Sequence, residues 1–189
     1  MRFETSQRAM LLAAAILLGV SASVQAQLDT PPPDAALEPF DVKDCTGPAA
    51  GKTLCYYCRY ELRPVVCIFT RELDDAAKKL IVALDAAVER RRDQRMAAFV
   101  VLLGDDTEAT ERSLRELAAE HRLRHTPLTI YRDSQAKLID GLGVSPEKTL
   151  TIRAWRGGKV VGQHVGESTK SFSAAELVQA VEQVARPAS

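Results

Sequence analysis

Two cysteines separated by two tyrosines, Cys55-Tyr56-Tyr57-Cys58, are the residues of this chain best suited to chemistry. At this spacing one thiolate can attack and the other can resolve, so the pair can cycle between dithiol and disulfide. Arg59 follows directly, and its charge would favour a thiolate at Cys58. The tyrosines would add an apolar face for a partner. Three other uses of the same residues stay open: a permanent disulfide, a bridge to Cys45 or Cys67, or a metal site. Zinc is disfavoured because only one C-x-x-C knuckle is present. Covalent haem attachment fails because Arg59 stands where a histidine is needed. Neither a cofactor nor a metal is expected.

The remaining candidates are weaker. Cys67 lies inside the apolar run Val65-Val66-Cys67-Ile68-Phe69 and reads as a buried small residue rather than a reactive thiol. Cys45 sits in a turn-rich segment and is expected to be more exposed, either free or paired with Cys67 in a structural disulfide. His121, His125 and His164 share no ligand spacing and read as surface or helix-end residues, and Trp155 reads as core. The segment from Gly47 to Thr53 imitates a phosphate-binding loop. It has one residue too few between its glycines, and the cysteine pair follows where a helix should begin.

The whole chain bounds what that site can do. It has 189 residues, with Lys+Arg and Asp+Glu balanced at 25 each, which argues against a nucleic-acid partner. Arg2 and Arg8 precede an apolar run from Ala9 to Val20, too short to span a bilayer comfortably. Val24-Gln25-Ala26 then offers a cleavage site, so residues 1–26 are predicted to be a secretory signal peptide. The mature protein is expected to be secreted or periplasmic, with no stable membrane insertion. Export puts the four cysteines where disulfides persist. Residues 27–39, centred on Pro31-Pro32-Pro33, read as an extended tether, and 40–186 as one domain.

The elements that must position the pair follow from periodicity. Val65 to Thr70 and Ala97 to Leu103 are apolar without alternation, as strands buried on both faces are. Phe40-Asp41-Val42 is expected to begin an edge strand. Asp74 or Asp75 caps a helix to about Arg92, with Ala77, Leu80, Ile81, Leu84 and Val88 on one face. Thr107 caps a helix to about His121. Leu128 to Tyr131 is a short strand, and a helical turn is expected at 138–142. Thr149–Trp155 and Lys159–Val165 alternate around Gly157-Gly158, a hairpin. Ser171 or Ser173 caps a last helix bearing Leu177, Val178, Val181 and Val184. The order predicts an α/β fold, a mixed sheet with helices on both faces and a C-terminal hairpin plus helix.

This order, with the C-x-x-C nearby, resembles the thioredoxin superfamily over roughly residues 40–186. Within it the chain looks most like the peroxiredoxin and thiol–disulfide oxidoreductase branch. The segments that carry the likeness are Asp41-Val42-Lys43-Asp44 with Gly47 and Gly51-Lys52, Pro64-Val65-Val66 to Phe69, and Thr126-Pro127-Leu128-Thr129. Thr149-Leu150-Thr151-Ile152 leading through Gly157-Gly158-Lys159-Val160-Val161 to Gly166 completes them. The resemblance implies a thioredoxin-like fold, with Cys55 attacking and Cys58 resolving. Thr126-Pro127 aligns with the cis-proline beside the dithiol of that family, and Pro146 is a second alignment for the same role. One departure stands out. The family's reactive cysteine follows the central strand, where this chain reads Thr70-Arg71-Glu72-Leu73-Asp74-Asp75. Peroxiredoxin-type peroxidase activity is therefore not expected. The dithiol precedes that strand, which at six residues is roughly 20 Å long, so it is expected near the opposite pole of the sheet unless residues 59–64 fold back.

Two functions fit. One is an exported thiol–disulfide oxidoreductase using Cys55 and Cys58, with Arg59, Thr126 and Pro127 in support, acting on protein thiols or disulfides. The other is a non-enzymatic domain on the same fold, its cysteines structural, that binds an unidentified protein.

Overall fold

The computed structural model describes residues 28–29, 38–131, 144 and 147–186. The predicted leader, most of the tether, the turn expected at 138–142 and Pro146 lie outside the described residues.

Strand β3 (Val65–Thr70) lies in the interior of the sheet, and each of its six residues is buried. It pairs in parallel with β4 (Ala97–Leu103) and antiparallel with β6 (Leu150–Arg156). With β1 (Val42–Asp44), β2 (Thr53–Leu54), β5 (Leu128–Tyr131) and β7 (Lys159–Gly166), these form one seven-stranded mixed sheet in the order β2-β1-β5-β4-β3-β6-β7. The expected edge strand at Phe40 is corrected in two ways. Pairing begins at Val42, and β1 is interior because Thr53–Leu54 turns back to pair outside it. The alternation in β6 likewise marks no solvent face, since Leu150 to Trp155 are all buried between β3 and β7. The β6–β7 turn takes φ of 59° at Gly157 and 76° at Gly158, the left-handed pair that a two-residue hairpin needs.

Three long helices pack on one face. They are α2 (Asp75–Arg90), α3 (Glu108–His121) and α4 (Ala174–Ala185). Each begins on a side-chain cap: Asp74 accepts from the Ala77 N–H, Thr107 from Thr110, and Ser173 forms a capping box with Glu176. Their apolar stripes meet the even-numbered residues of β3 to β6. Among the described residues, the opposite face is covered by Phe40 and by a five-residue helix, α1 (Tyr56–Tyr60), which carries Cys58 and has Cys55 as its N-cap.

Candidate redox site

The site is built on α1, which is too short to be stable by itself. Its position comes from its tyrosines. Tyr56 and Tyr60, four apart, lie on one face of the helix and both are buried. Tyr56 stacks on Phe99 of β4 at 5.3 Å and 24°, and Tyr60 sits 6.0 Å from the same ring. The Tyr56 hydroxyl donates to Asp44 Oδ2 at 2.9 Å, and the Tyr60 hydroxyl donates to the Ala98 carbonyl at 3.3 Å. Burial, and then the bond to Asp44, push the Tyr56 phenol far above its ordinary pKa; burial does the same for Tyr60.

Asp44 is fully buried, and besides Tyr56 it accepts from the amides of Thr46 at 3.2 Å, Gly47 at 2.6 Å and Ala49 at 2.8 Å. A Cβ at Gly47 would collide with the Tyr56 hydroxyl, the Asp44 carboxylate and Pro127, so only glycine allows that approach. The helix ends at Glu61, whose φ of 49° turns the chain toward β3. Arg63 then closes the turn, donating to the carbonyls of Arg95 at 2.8 Å and Met96 at 3.2 Å while its guanidinium lies 5.2 Å from the Tyr60 ring.

On this frame Cys55 and Cys58 form a disulfide with Cα atoms 5.3 Å apart. Cys55 is the N-cap of α1, and its Sγ accepts the Cys58 N–H at 3.0 Å. Cys55 is half-buried between Leu54 and Tyr56, while Cys58 is exposed. Residues 59–64 do fold back. The pair therefore sits over the sheet, with Leu54 paired to Val42 and Tyr56 on Phe99, rather than at the far pole. The motif itself supplies a helix start, with Cys55 as the N-cap. The tyrosines do not both offer a face to a partner, because Tyr56 is core; Tyr57 is half-buried against Trp155, with ring centroids 6.0 Å apart.

Other predicted residues fall elsewhere. Arg59 is exposed beside Cys58. Thr126 is buried and Pro127 packs against Gly47. No cis peptide occurs among the described residues, so Thr126-Pro127 does not take the cis role that the alignment suggested. Cys45 and Cys67 are both buried and free. The expected exposure of Cys45 is corrected, and so is its bridge to Cys67. Successive residues of a strand and its extension point to opposite faces, and Cys45 packs under the long helices while Cys67 faces the aromatic side. Burial pushes the Cys45 thiol up to about 11 and the Cys67 thiol well up. Where the resemblance looked for a reactive cysteine, Asp74 caps α2 at 2.8 Å and accepts from the Thr169 hydroxyl at 2.7 Å. The Ala77 amide and the Thr169 hydroxyl hold its carboxyl below the usual range.

Two residues that matter here were given no role of their own from the sequence. Asp44 anchors α1, and its signal was legible, since Asp followed three residues later by Gly is turn chemistry. Arg153 is buried beside Cys67 across the β3–β6 pair. Its placement in an alternating strand pointed outward, and nothing local announced that it would be covered.

The fold is thioredoxin-like. The chain aligns with the thioredoxin domain of a thiol-disulfide oxidoreductase from Bacteroides vulgatus at a TM-score of 0.61 and 13% identity, over 85% of this chain and all (100%) of that one. It aligns with the peroxidoxin BcpB from Mycobacterium tuberculosis at 0.57 and 17%, over 83% and 96%. A secreted disulfide oxidoreductase from Mycobacterium tuberculosis, homologous to DsbE of E. coli, aligns at 0.58 and 10%, over 76% and 95%. No family model and no curated protein sequence matches the chain. The thioredoxin-like assignment thus rests on shape, and the site has to be judged on its own atoms. Among the described residues of this thioredoxin-like chain, no helix is long and apolar enough to cross a membrane.

Proposed function

We propose that the protein is an exported thiol–disulfide oxidoreductase that uses Cys55 and Cys58 on protein thiols or disulfides. The observation that carries this reading is an accessible disulfide on a thioredoxin-like scaffold. Cys58 reaches solvent, and its partner Cys55 is held by a backbone donor at 3.0 Å. A structural bridge is usually buried or closes a long loop, whereas this one is three residues wide and sits at the surface. Similar solved structures described as a thiol-disulfide oxidoreductase and as a secreted disulfide oxidoreductase agree with the reading. Export rests on the basic and apolar leader with Val24-Gln25-Ala26, and intact mass of the exported protein tests it: the expected mature chain begins at Gln27, and a mass retaining residues 1–26 rejects cleavage.

A glutathione titration of the wild-type protein with mass readout tests the chemistry. A redox catalyst is expected at roughly −270 to −120 mV, and a potential below about −300 mV would mark the pair as structural. That second outcome would favour a binding domain, a reading supported by Asp74 standing where the family's cysteine would be. Peroxidase chemistry of the peroxiredoxin type is not expected, because the start of α2 offers a carboxylate and no thiolate.

A further inference from the structure

We propose that thiol–disulfide exchange at this site passes through a mixed disulfide on Cys58, with Cys55 as the leaving and resolving sulfur. This is the reverse of the order that the resemblance implied, and it rests on the reading that the pair is redox-active. Exchange proceeds by attack of a thiolate on one sulfur, and which sulfur is attacked depends on access and on how well the other leaves. Both criteria choose the same way here. Cys58 is exposed on the outward side of α1, flanked by exposed Arg59. Cys55 is half-buried, between Leu54, which is paired to Val42 in the sheet, and Tyr56, which is 1% exposed and stacked on Phe99. Of the two residues, Cys58 is therefore the more open to a thiol on a protein. The Cys55 sulfur, in turn, already accepts the Cys58 N–H at 3.0 Å. That bond strengthens when the sulfur becomes a thiolate, since hydrogen bonds to charged acceptors are roughly twice as strong as neutral ones.

The steps balance as follows. A substrate thiolate attacks Cys58 Sγ with its lone pair. The Cys55–Cys58 bond breaks, and its electron pair passes to Cys55 Sγ, which the Cys58 amide stabilises. A second substrate thiolate then attacks the substrate sulfur of the mixed disulfide, and that electron pair leaves on Cys58. The substrate is oxidised to a disulfide and the protein is left as a dithiol. In the reducing direction Cys58 attacks the substrate disulfide, and Cys55 then attacks Cys58 Sγ to release the reduced substrate.

Full-length Cys55→Ser and Cys58→Ser proteins, each treated with glutathione disulfide and followed by intact mass, test the order. Cys55→Ser is expected to gain its glutathione adduct at least tenfold faster than Cys58→Ser; equal rates, or the opposite order, overturn the inference. A second measurement avoids substitution. Oxidised wild-type protein is exposed briefly to reduced glutathione and quenched in acid, and fragment ions formed between Tyr56 and Tyr57 locate the adduct. Glutathione on Cys58 supports the proposal, and glutathione chiefly on Cys55 overturns it. Either overturning result leaves the oxidoreductase reading standing, because that reading is judged by the wild-type potential and not by which sulfur is attacked.

Discussion

On one face of the sheet, three capped helices lay aliphatic side chains such as Leu80, Leu84, Leu114 and Leu177 against Val66, Ile68, Val100 and Ile152. On the other, Phe40, Tyr56, Tyr60, Phe69, Phe99 and Trp155 form an aromatic layer under a helix of five residues. The aliphatic face is held by non-directional burial spread over long helices. On the aromatic face two rings carry polar handles tied to an acceptor: Tyr56 to Asp44 and Tyr60 to the Ala98 carbonyl. Such bonds fix orientation as well as contact. A short helix that could not form alone is thereby kept in one place, with Cys55 half-buried and Cys58 exposed. The contrast separates stability from site geometry. Substitutions on the first face should cost stability without changing the dithiol, and substitutions on the second should change both.

The largest effect expected is that of Asp44→Ala. It strips the acceptor from three part-buried amides and from the buried Tyr56 phenol. Each buried group left without a partner costs about 1–3 kcal/mol, so the total loss should reach about 3 kcal/mol or more in a urea melt. The reduction potential of Cys55–Cys58 should move as well. Leu84→Ala, in the aliphatic core, should cost a comparable amount, about 2–5 kcal/mol, and leave that potential where it was. If both substitutions shift the potential alike, the two faces are not separable in this way.

A smaller effect distinguishes the two buried thiols, one on each face. Both Cys45 and Cys67 are raised by burial, Cys45 to about 11 and Cys67 well up, the latter partly offset by the charge of Arg153. A raised group holds its proton longer in the folded chain than in the unfolded one. Its contribution is fully present below the unfolded thiol pKa of about 8.5 and is lost as pH rises toward the folded value. Stability should therefore decline above about pH 8.5, by up to about 1.4 kcal/mol per pH unit for each thiol. Urea melts from pH 7 to 10.5 should show a shallower decline for Cys45→Ala and for Cys67→Ala than for the wild type. From about pH 10, Tyr56 and Tyr60 steepen all three curves, since their folded values also lie higher. Parallel curves for the wild type and both variants would show that neither thiol stays protonated through burial.

The aliphatic face was almost entirely legible in the sequence, and the aromatic face was not. Apolar runs without alternation marked β3 and β4 to the residue, Thr107 announced its helix as a cap does, and of the paired candidates Asp74 or Asp75 and Ser171 or Ser173 the caps are Asp74 and Ser173. Those signals are local, written in periodicity and in side chains that bond to their own backbone. The site depends on contacts distant in sequence: Asp44 with Tyr56, Tyr56 with Phe99, and Tyr60 with Ala98. Periodicity is silent about these, and α1 at five residues is too short to show a period at all. The four residues CYYC could be read as chemistry, but the order of half-buried and exposed cysteine could not. That order is set by which face of a single helical turn meets Phe99.

The smallest effect isolates the role of one sulfur as a cap. Cys55→Ser and Cys55→Ala both abolish the disulfide, so the loop it closes is lost equally in each and cancels in the comparison. What differs is the N-cap. Serine at this position can still accept the Cys58 N–H, which is the third amide of α1, and alanine cannot. Replacing an N-cap serine by alanine costs typically about 1 kcal/mol, and at a helix of one turn the lower end of that range, about 0.5–1 kcal/mol, is expected. The Cys55→Ser protein should therefore unfold at higher urea than Cys55→Ala with an unchanged m-value. Because Cys58 is exposed whether or not the cap is made, its alkylation by iodoacetamide should proceed at similar rates in the two proteins. Equal stabilities would mean that the 3.0 Å contact from the Cys58 N–H to Cys55 Sγ bears no load in α1. The amide donor invoked for the departing Cys55 thiolate would then lose its support, leaving accessibility alone to favour Cys58.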